Sequence, residues 1–145
     1  SEQLNSITGN IVAVLYDEHG IEKFRQEVKN LVVTTGKNLI ASRLVGTASN
    51  VISHMAVGTG TTAPAAGDTT LVTELTRVAI SSGTASGNVA TYVATFAPGV
   101  GTGSINECGL FNASTAGTLL ARSTSVIVTK GALDTLALTW TITIN

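Results

Sequence analysis

Charge is scarce in this sequence: charged side chains make up only 12% of its 145 residues, against roughly 25% in ordinary soluble domains. The formal net charge is -1 and the isoelectric point lies near 6.0, which removes the electrostatic case for nucleic acid or an anionic membrane surface. Aromatic residues reach only 4%, so the interleaving of basic and aromatic side chains expected of a nucleic-acid binder is also missing. The single cysteine, Cys108, excludes an intrachain disulfide. Long apolar runs are absent as well. Ile11–Tyr16 is an example of the short runs present, while a membrane-spanning helix needs about 20 apolar residues. No basic stretch followed by an apolar core opens the sequence, so no secretory signal is read, and loss of an initiator methionine would account for Ser1.

Against these absences stands a mean hydropathy of +0.36, high for a soluble monomer. Threonine, serine, glycine and alanine must therefore supply most of the surface. A surface so weakly polar is expected to be covered in part by neighbouring subunits. The length fits one domain, with about 70% of the unfolded surface buried and no need for metal or disulfide.

The charge that exists is concentrated in the first third. Ile11–Tyr16 is apolar and β-prone, Asp17-Glu18-His19-Gly20 is a turn cluster, and Ile21–Val28 alternates, which together read as a β-hairpin. Impure alternation in its second half places one strand at a sheet edge. Leu39, Ile40, Leu44 and Val45 fall at helical spacing, with Thr34 or Thr35 as cap and Gly46 as stop, so a short helix is expected over 34–46. Asp68 to Leu75 could add a single helical turn capped by Asp68. From residue 51 onward β-signals dominate, at Val51–Gly58, Arg77–Gly83, Asn88–Phe96, Ile105–Phe111, Thr118–Thr129 and Leu133–Ile144. The last is the cleanest: Leu136, Leu138, Trp140, Ile142 and Ile144 point one way and a row of mainly threonines points the other.

These elements predict an all-β protein, a jelly-roll-like antiparallel β-sandwich of about eight strands with one short α-helix. The domain reading is a single β-sandwich over 1–145, divided into an N-terminal hairpin or arm at 1–33, the helix at 34–46 and the main strands at 51–145.

Candidate chemistry is sparse. His19 sits in the expected hairpin turn and His54 beside Met55 on a core strand, and neither belongs to a zinc-ligand pattern. Cys108 lies next to Glu107, whose carboxylate raises a thiol's pKa, so it reads as a small buried hydrophobe. Gly58-Thr59-Gly60 follows a strand but lacks the third glycine of a dinucleotide loop and the Gly-Lys-Ser/Thr of a phosphate loop. No G-x-S-x-G elbow occurs, and Asp17-Glu18 is too sparse for a calcium loop. No catalytic, cofactor or metal site is expected. Glu107 stands out, because it interrupts an apolar strand and a buried lone carboxylate is costly. It is expected to pair with Arg77 or Arg122 and hold the loop-bearing strand against the sheet.

The segments His54–Gly60, Leu71-x-x-Glu74-x-x-Arg77, Glu107-x-Gly109-Leu110-Phe111 and Asp134–Ile144 resemble the β-rich virion proteins of tailed bacteriophages. That group includes capsid cement (decoration) proteins and tail-collar or tail-fibre domains. The resemblance implies a non-enzymatic protein, made in the bacterial host cytoplasm, that sits on the outer capsid shell of the virion. Its implied partners are the major capsid protein and further copies of itself, as a homodimer or homotrimer, with no nucleic acid or membrane. A host-attachment module of the tail collar or fibre is the alternative. Cement is preferred because the chain is one compact domain, without the repeat stem of a fibre or an aromatic receptor-binding tip. The expected contact elements are a flexible loop carrying Thr59, Gly60, Thr61, Thr62, Pro64 and Gly67, and a hairpin carrying Asp17, Glu18, His19, Lys23 and Arg25.

Overall fold

A computed structural model describes residues 6–47 and 50–145. The first five residues of the expected N-terminal arm, Glu2 among them, lie outside the described part. Among the described residues eleven strands and one helix follow in the order β1 (Ile7–Tyr16), β2 (Glu22–Val32), α1 (Thr34–Leu44), β3 (His54–Gly58), β4 (Glu74–Ala79), β5 (Ser82–Ser86), β6 (Val89–Phe96), β7 (Gly103–Ile105), β8 (Glu107–Phe111), β9 (Leu119–Ser123), β10 (Val128–Lys130) and β11 (Thr135–Ile144).

Nine of the strands form one curled antiparallel sheet in the order β4-β3-β8-β9-β2-β1-β11-β6-β5, and β7 pairs separately with β10. The curl comes from β2. Its residues Glu22–Asn30 pair with β1, whereas Leu31 and Val32 pair with β9, so one strand belongs to both halves. The half containing β2, β1, β11, β6 and β5 is called sheet A below, and the half containing β2, β9, β8, β3 and β4 sheet B. On the far side the chain returns from β4 to β5 through only Ile80 and Ser81. The two end strands of the sheet are thus consecutive in sequence. The result is an all-β, sandwich-like fold. It is jelly-roll-like in that β1 pairs with β11, with β2·β9 and β3·β8 nested inside, although consecutive strands also pair as hairpins.

The period-two pattern of the last strand is realised as far as Ile142, whereas Ile144, expected on the same core row, is exposed at the strand's end. Leu136, Leu138, Trp140 and Ile142 enter the core between the sheets, meeting Ile11, Ala13 and Leu15 of β1 and Ala94 and Phe96 of β6. Met55, Val57, Cys108 and Leu110 complete that core from sheet B. The strand expected over Val51–Gly58 begins only at His54, and three other expected strands are each divided. Asn106 separates β7 from β8, Ile80–Ser81 separates β4 from β5, and the loop after Ser123 separates β9 from β10. The flanking segments are β-prone in each case, but the chain changes pairing partner there.

The hairpin does not stand apart as an arm. β1 lies between β2 and β11, and among the described residues β2 over Glu22–Asn30 has no other strand beside it, so it forms the edge of sheet A. The helix ends as expected at Gly46 (φ +71°), where the amides of Gly46 and Thr47 donate to the carbonyls of Arg43 and Ser42, a Schellman closure. Its start differs from expectation. Val33 occupies the cap without a side-chain hydrogen bond, and Thr35 instead donates its hydroxyl to the Leu119 carbonyl at 2.9 Å.

Candidate functional site

Sheet B is covered on both faces, and the second cover builds the most distinctive part of the molecule. On its outer face the alternation of β8 presents Glu107, Gly109 and Phe111, while Cys108 and Leu110 point into the main core. Ala56, Phe111, Leu119, Val33 and Leu71 form a small apolar cluster on this outer face. Leu71 belongs to the long loop between β3 and β4, which folds back over the sheet.

Glu107 anchors that loop. Its carboxylate is fully buried and accepts from the backbone amides of Gly60 (2.9 Å), Val72 (2.9 Å) and Thr73 (2.7 Å). Arg122 donates to it through Nε at 3.1 Å and Nη2 at 2.9 Å. Arg122, also buried, turns its Nη1 to Asp68 at 3.0 Å. Burial pushes the Glu107 carboxyl up, but the amides of Thr73 and Val72, the Arg122 guanidinium and the Gly60 amide outweigh it and hold the group below the ordinary carboxylate range. Of the two expected partners, Arg122 is the one that pairs with Glu107.

Arg77 has different contacts. It pairs with Glu74 at 2.7 Å, donates to the carbonyls of Ala113 and Ala116, and lies 3.6 Å above the Phe111 ring. Glu74 and Arg77 share a face although three residues apart on a strand. Leu75 is an extra residue between the Gly58↔Glu74 and Val57↔Thr76 pairs, and such a bulge restores the same facing. The expected helical turn at Asp68–Leu75 is therefore not formed. Asp68 instead accepts from the Ala65 amide at 2.9 Å and from Arg122.

The loop glycines have a steric role. A side chain at Gly60 would run into the Glu107 carboxylate and Val72, and one at Gly58 into the Thr73 carbonyl. The expected flexible connector is in fact tied at both ends. Thr59 donates to the Thr73 carbonyl at 2.9 Å, and the Ala66 carbonyl accepts from Thr34 at 2.8 Å. Thr61, Thr62 and Gly67 stand exposed and Pro64 is half-buried.

The hairpin residues are engaged within the molecule. Asp17 accepts from the amides of His19 and Ile21, Glu18 lies 3.7 Å from His19, and Arg25 pairs with Glu22 at 2.7 Å. Lys23 bonds both oxygens of the largely buried Asp134 at 3.0 Å, tying β2 to the start of β11. His54 Nδ1 lies 2.8 Å from the hydroxyl of Ser53. Cys108 is buried, and burial followed by the Glu107 charge pushes its thiol far up. Among the described residues no three potential metal ligands come together, and no helix is long and apolar enough to cross a membrane.

Sequence reasoning missed one surface. Leu44 and Val45 at the end of α1 remain 82% and 81% exposed, and Val51 is exposed as well. Leu44 and Val51 border a cleft of about 320 Å³ whose walls include Leu39, Ile40, Ile52 and Tyr92. The helical spacing of Leu44 and Val45 suggested burial, and the end of the helix after Leu44 leaves them outside the core instead.

Compared with known proteins, the chain matches no family, no curated protein and no solved structure.

Proposed function

We propose that this protein is a tailed-bacteriophage structural protein, a cement protein that binds the outer capsid shell and strengthens contacts between major capsid subunits. The observation that carries this reading is the distribution of surface character. Among the described residues, exposed threonine, serine and alanine far outnumber exposed charged side chains, while the exposed Leu44 and Val51 line one apolar cleft beside the exposed Val45. Apolar residues clustered in this way mark interaction surfaces. The buried Glu107–Arg122–Asp68 network supports the same reading, since it presents Thr61 and Thr62 from a loop with a defined path. Each modest contact gains weight by repetition over a symmetric shell.

This surface shifts the expected contact region from the charged hairpin, where Asp17, Glu22, Lys23 and Arg25 already have partners within the molecule, to the helix end and the loop. Imaging intact particles tests the assignment. Density distributed over the shell is expected, and density confined to the tail overturns it in favour of the tail-collar or fibre reading. Leu44→Asp with Val45→Asp is expected to abolish shell binding without unfolding the chain.

A further inference from the structure

Among the described residues the sheet has its longest open backbone edges along β2 over Glu22–Asn30, β4 and β5. Two of these are blunted in ways that discourage pairing with another chain. β2 carries Glu22, Lys23, Arg25, Glu27 and Lys29. Its Gln26 also bridges to the loop after β9, donating to the Ser125 carbonyl at 2.9 Å and accepting from the Ile127 amide at 3.1 Å. β4 has the Leu75 bulge and the Glu74–Arg77 ion pair. β5 has no such protection. It reads Ser82-Gly83-Thr84-Ala85-Ser86, exposed throughout, without charge or proline, and its pairing with β6 runs without a register shift. Among the described residues β6 is its only strand neighbour.

The turn between β5 and β6 determines which backbone groups are free. Gly87 (φ +56°) and Asn88 form a two-residue turn, so Ser86 and Val89 close the hairpin as a hydrogen-bonded pair. Hydrogen-bonded and non-hydrogen-bonded pairs then alternate, and Gly83 and Ala85 direct their N–H and C=O groups away from β6.

We propose that this edge pairs antiparallel with the same edge of a second copy, about a two-fold axis at Thr84. The strand is nearly its own reverse. Centred on Thr84, the pairing sets Ser82 opposite Ser86, Gly83 opposite Ala85 and Thr84 opposite Thr84 of the second copy. Gly83 of one copy and Ala85 of the other, the residues whose backbone groups are free, then exchange both N–H···O bonds, and the axis repeats the exchange. An isologous contact of this kind closes after two copies, as a two-fold dimer requires. The side-chain rows agree. Asn10, Thr141, Thr91 and Thr84 lie in register across β1, β11, β6 and β5. That polar row ends at Thr84 on the free edge, and the pairing continues it into the second copy with a Thr–Thr contact, which is favourable in sheets.

The dimer is independent of the capsid assignment, because its measurement uses the purified chain alone. Sedimentation over a wide concentration range is expected to give the mass of two chains. Thr84→Lys sets like charges opposite each other, and Ala85→Pro removes an outward N–H while leaving the β6 ladder intact. Each is expected to weaken association at least about tenfold, as like charges or a lost strand donor do at an edge, with an unchanged far-ultraviolet circular dichroism spectrum. Thr84→Cys adds a geometric test. Directly opposed residues in a non-hydrogen-bonded pair have Cα atoms about 4.5 Å apart, within the roughly 4.4–6.8 Å that a disulfide spans. Oxidation is expected to link two Thr84→Cys chains covalently and to leave a Thr95→Cys control unlinked. A monomer or trimer for the unaltered chain, a dimer insensitive to both edge substitutions, or a dimer that Thr84→Cys does not link overturns the proposal.

Discussion

Both oxygens of Glu107 accept from donors and neither faces an acceptor: Val72 and Arg122 meet one, Gly60 and Thr73 the other. An amide in its place must therefore turn its NH₂ toward an N–H whichever way it is flipped. Glu107→Gln also removes the buried counter-charge of Arg122, leaving only the half-buried Asp68. Breaking a buried pair by neutralising one partner costs about 3–5 kcal/mol, and denaturant unfolding of the variant is expected to show a loss in that range. A loss below about 1 kcal/mol, the scale of an exposed pair, means the carboxylate does not anchor the loop.

The same residue sets a pH dependence. The folded-state pKa of Glu107 lies below its ordinary value of 4.5, so its stabilisation is fully present above that value and is lost as pH falls through the folded one. Asp134, held down first by its bond to Lys23, acts in the same direction. Unfolding followed by circular dichroism between neutral and acid pH is expected to show falling stability below about pH 4.5. Glu107→Gln should flatten part of that slope, and an unchanged slope in the variant rejects Glu107 as a contributor.

Helix α1 rests on β9 through Gly36, where an added side chain would meet the backbone of Leu120. Backbone cannot move aside as a side-chain tip can. Glycine to alanine inside an exposed helix is ordinarily stabilising by about 0.5–1 kcal/mol, so the sign of the change is diagnostic. Gly36→Ala is expected to destabilise by about 1–3 kcal/mol through overpacking, measured by thermal unfolding, and a stabilised variant shows that the helix does not sit this close. At this scale the sequence was informative wherever one face of an element is core and the other solvent. The alternation Leu136–Ile144 and the turn Asp17–Gly20 both follow from local chemistry. β8 and β9 were harder to read, because both of their faces are buried. The cover on the outer face is the loop bearing Leu71, some distance away in sequence, and no local period records it. The same distance explains why Glu107 stood out as needing a partner while the three amides of the loop went unseen. Asp68 likewise has the composition of a helix cap, and a tertiary bond to Arg122 decides its conformation instead.

For the molecule as a whole, the pairing of β1 with β11 and the sharing of β2 between the two halves leave no boundary along which sheet A and sheet B could separate. Two natural probes sit on opposite sides of the common core. Trp140, the only tryptophan, belongs to β11 of sheet A and donates to Asn30 at 3.1 Å. Cys108, the only cysteine, belongs to β8 of sheet B, and both are fully buried in one cluster. With its thiol buried and its ionisation strongly opposed, Cys108 can react only when the surrounding structure opens. A single cooperative core requires different probes to report the same transition. The opening free energy from thiol labelling of Cys108 is therefore expected to equal the unfolding free energy from Trp140 fluorescence. Labelling at a distinctly lower free energy would mean that sheet B, with its loop and ion network, opens while sheet A stays folded. The strand shared through β2 would then act as a hinge instead of a seam.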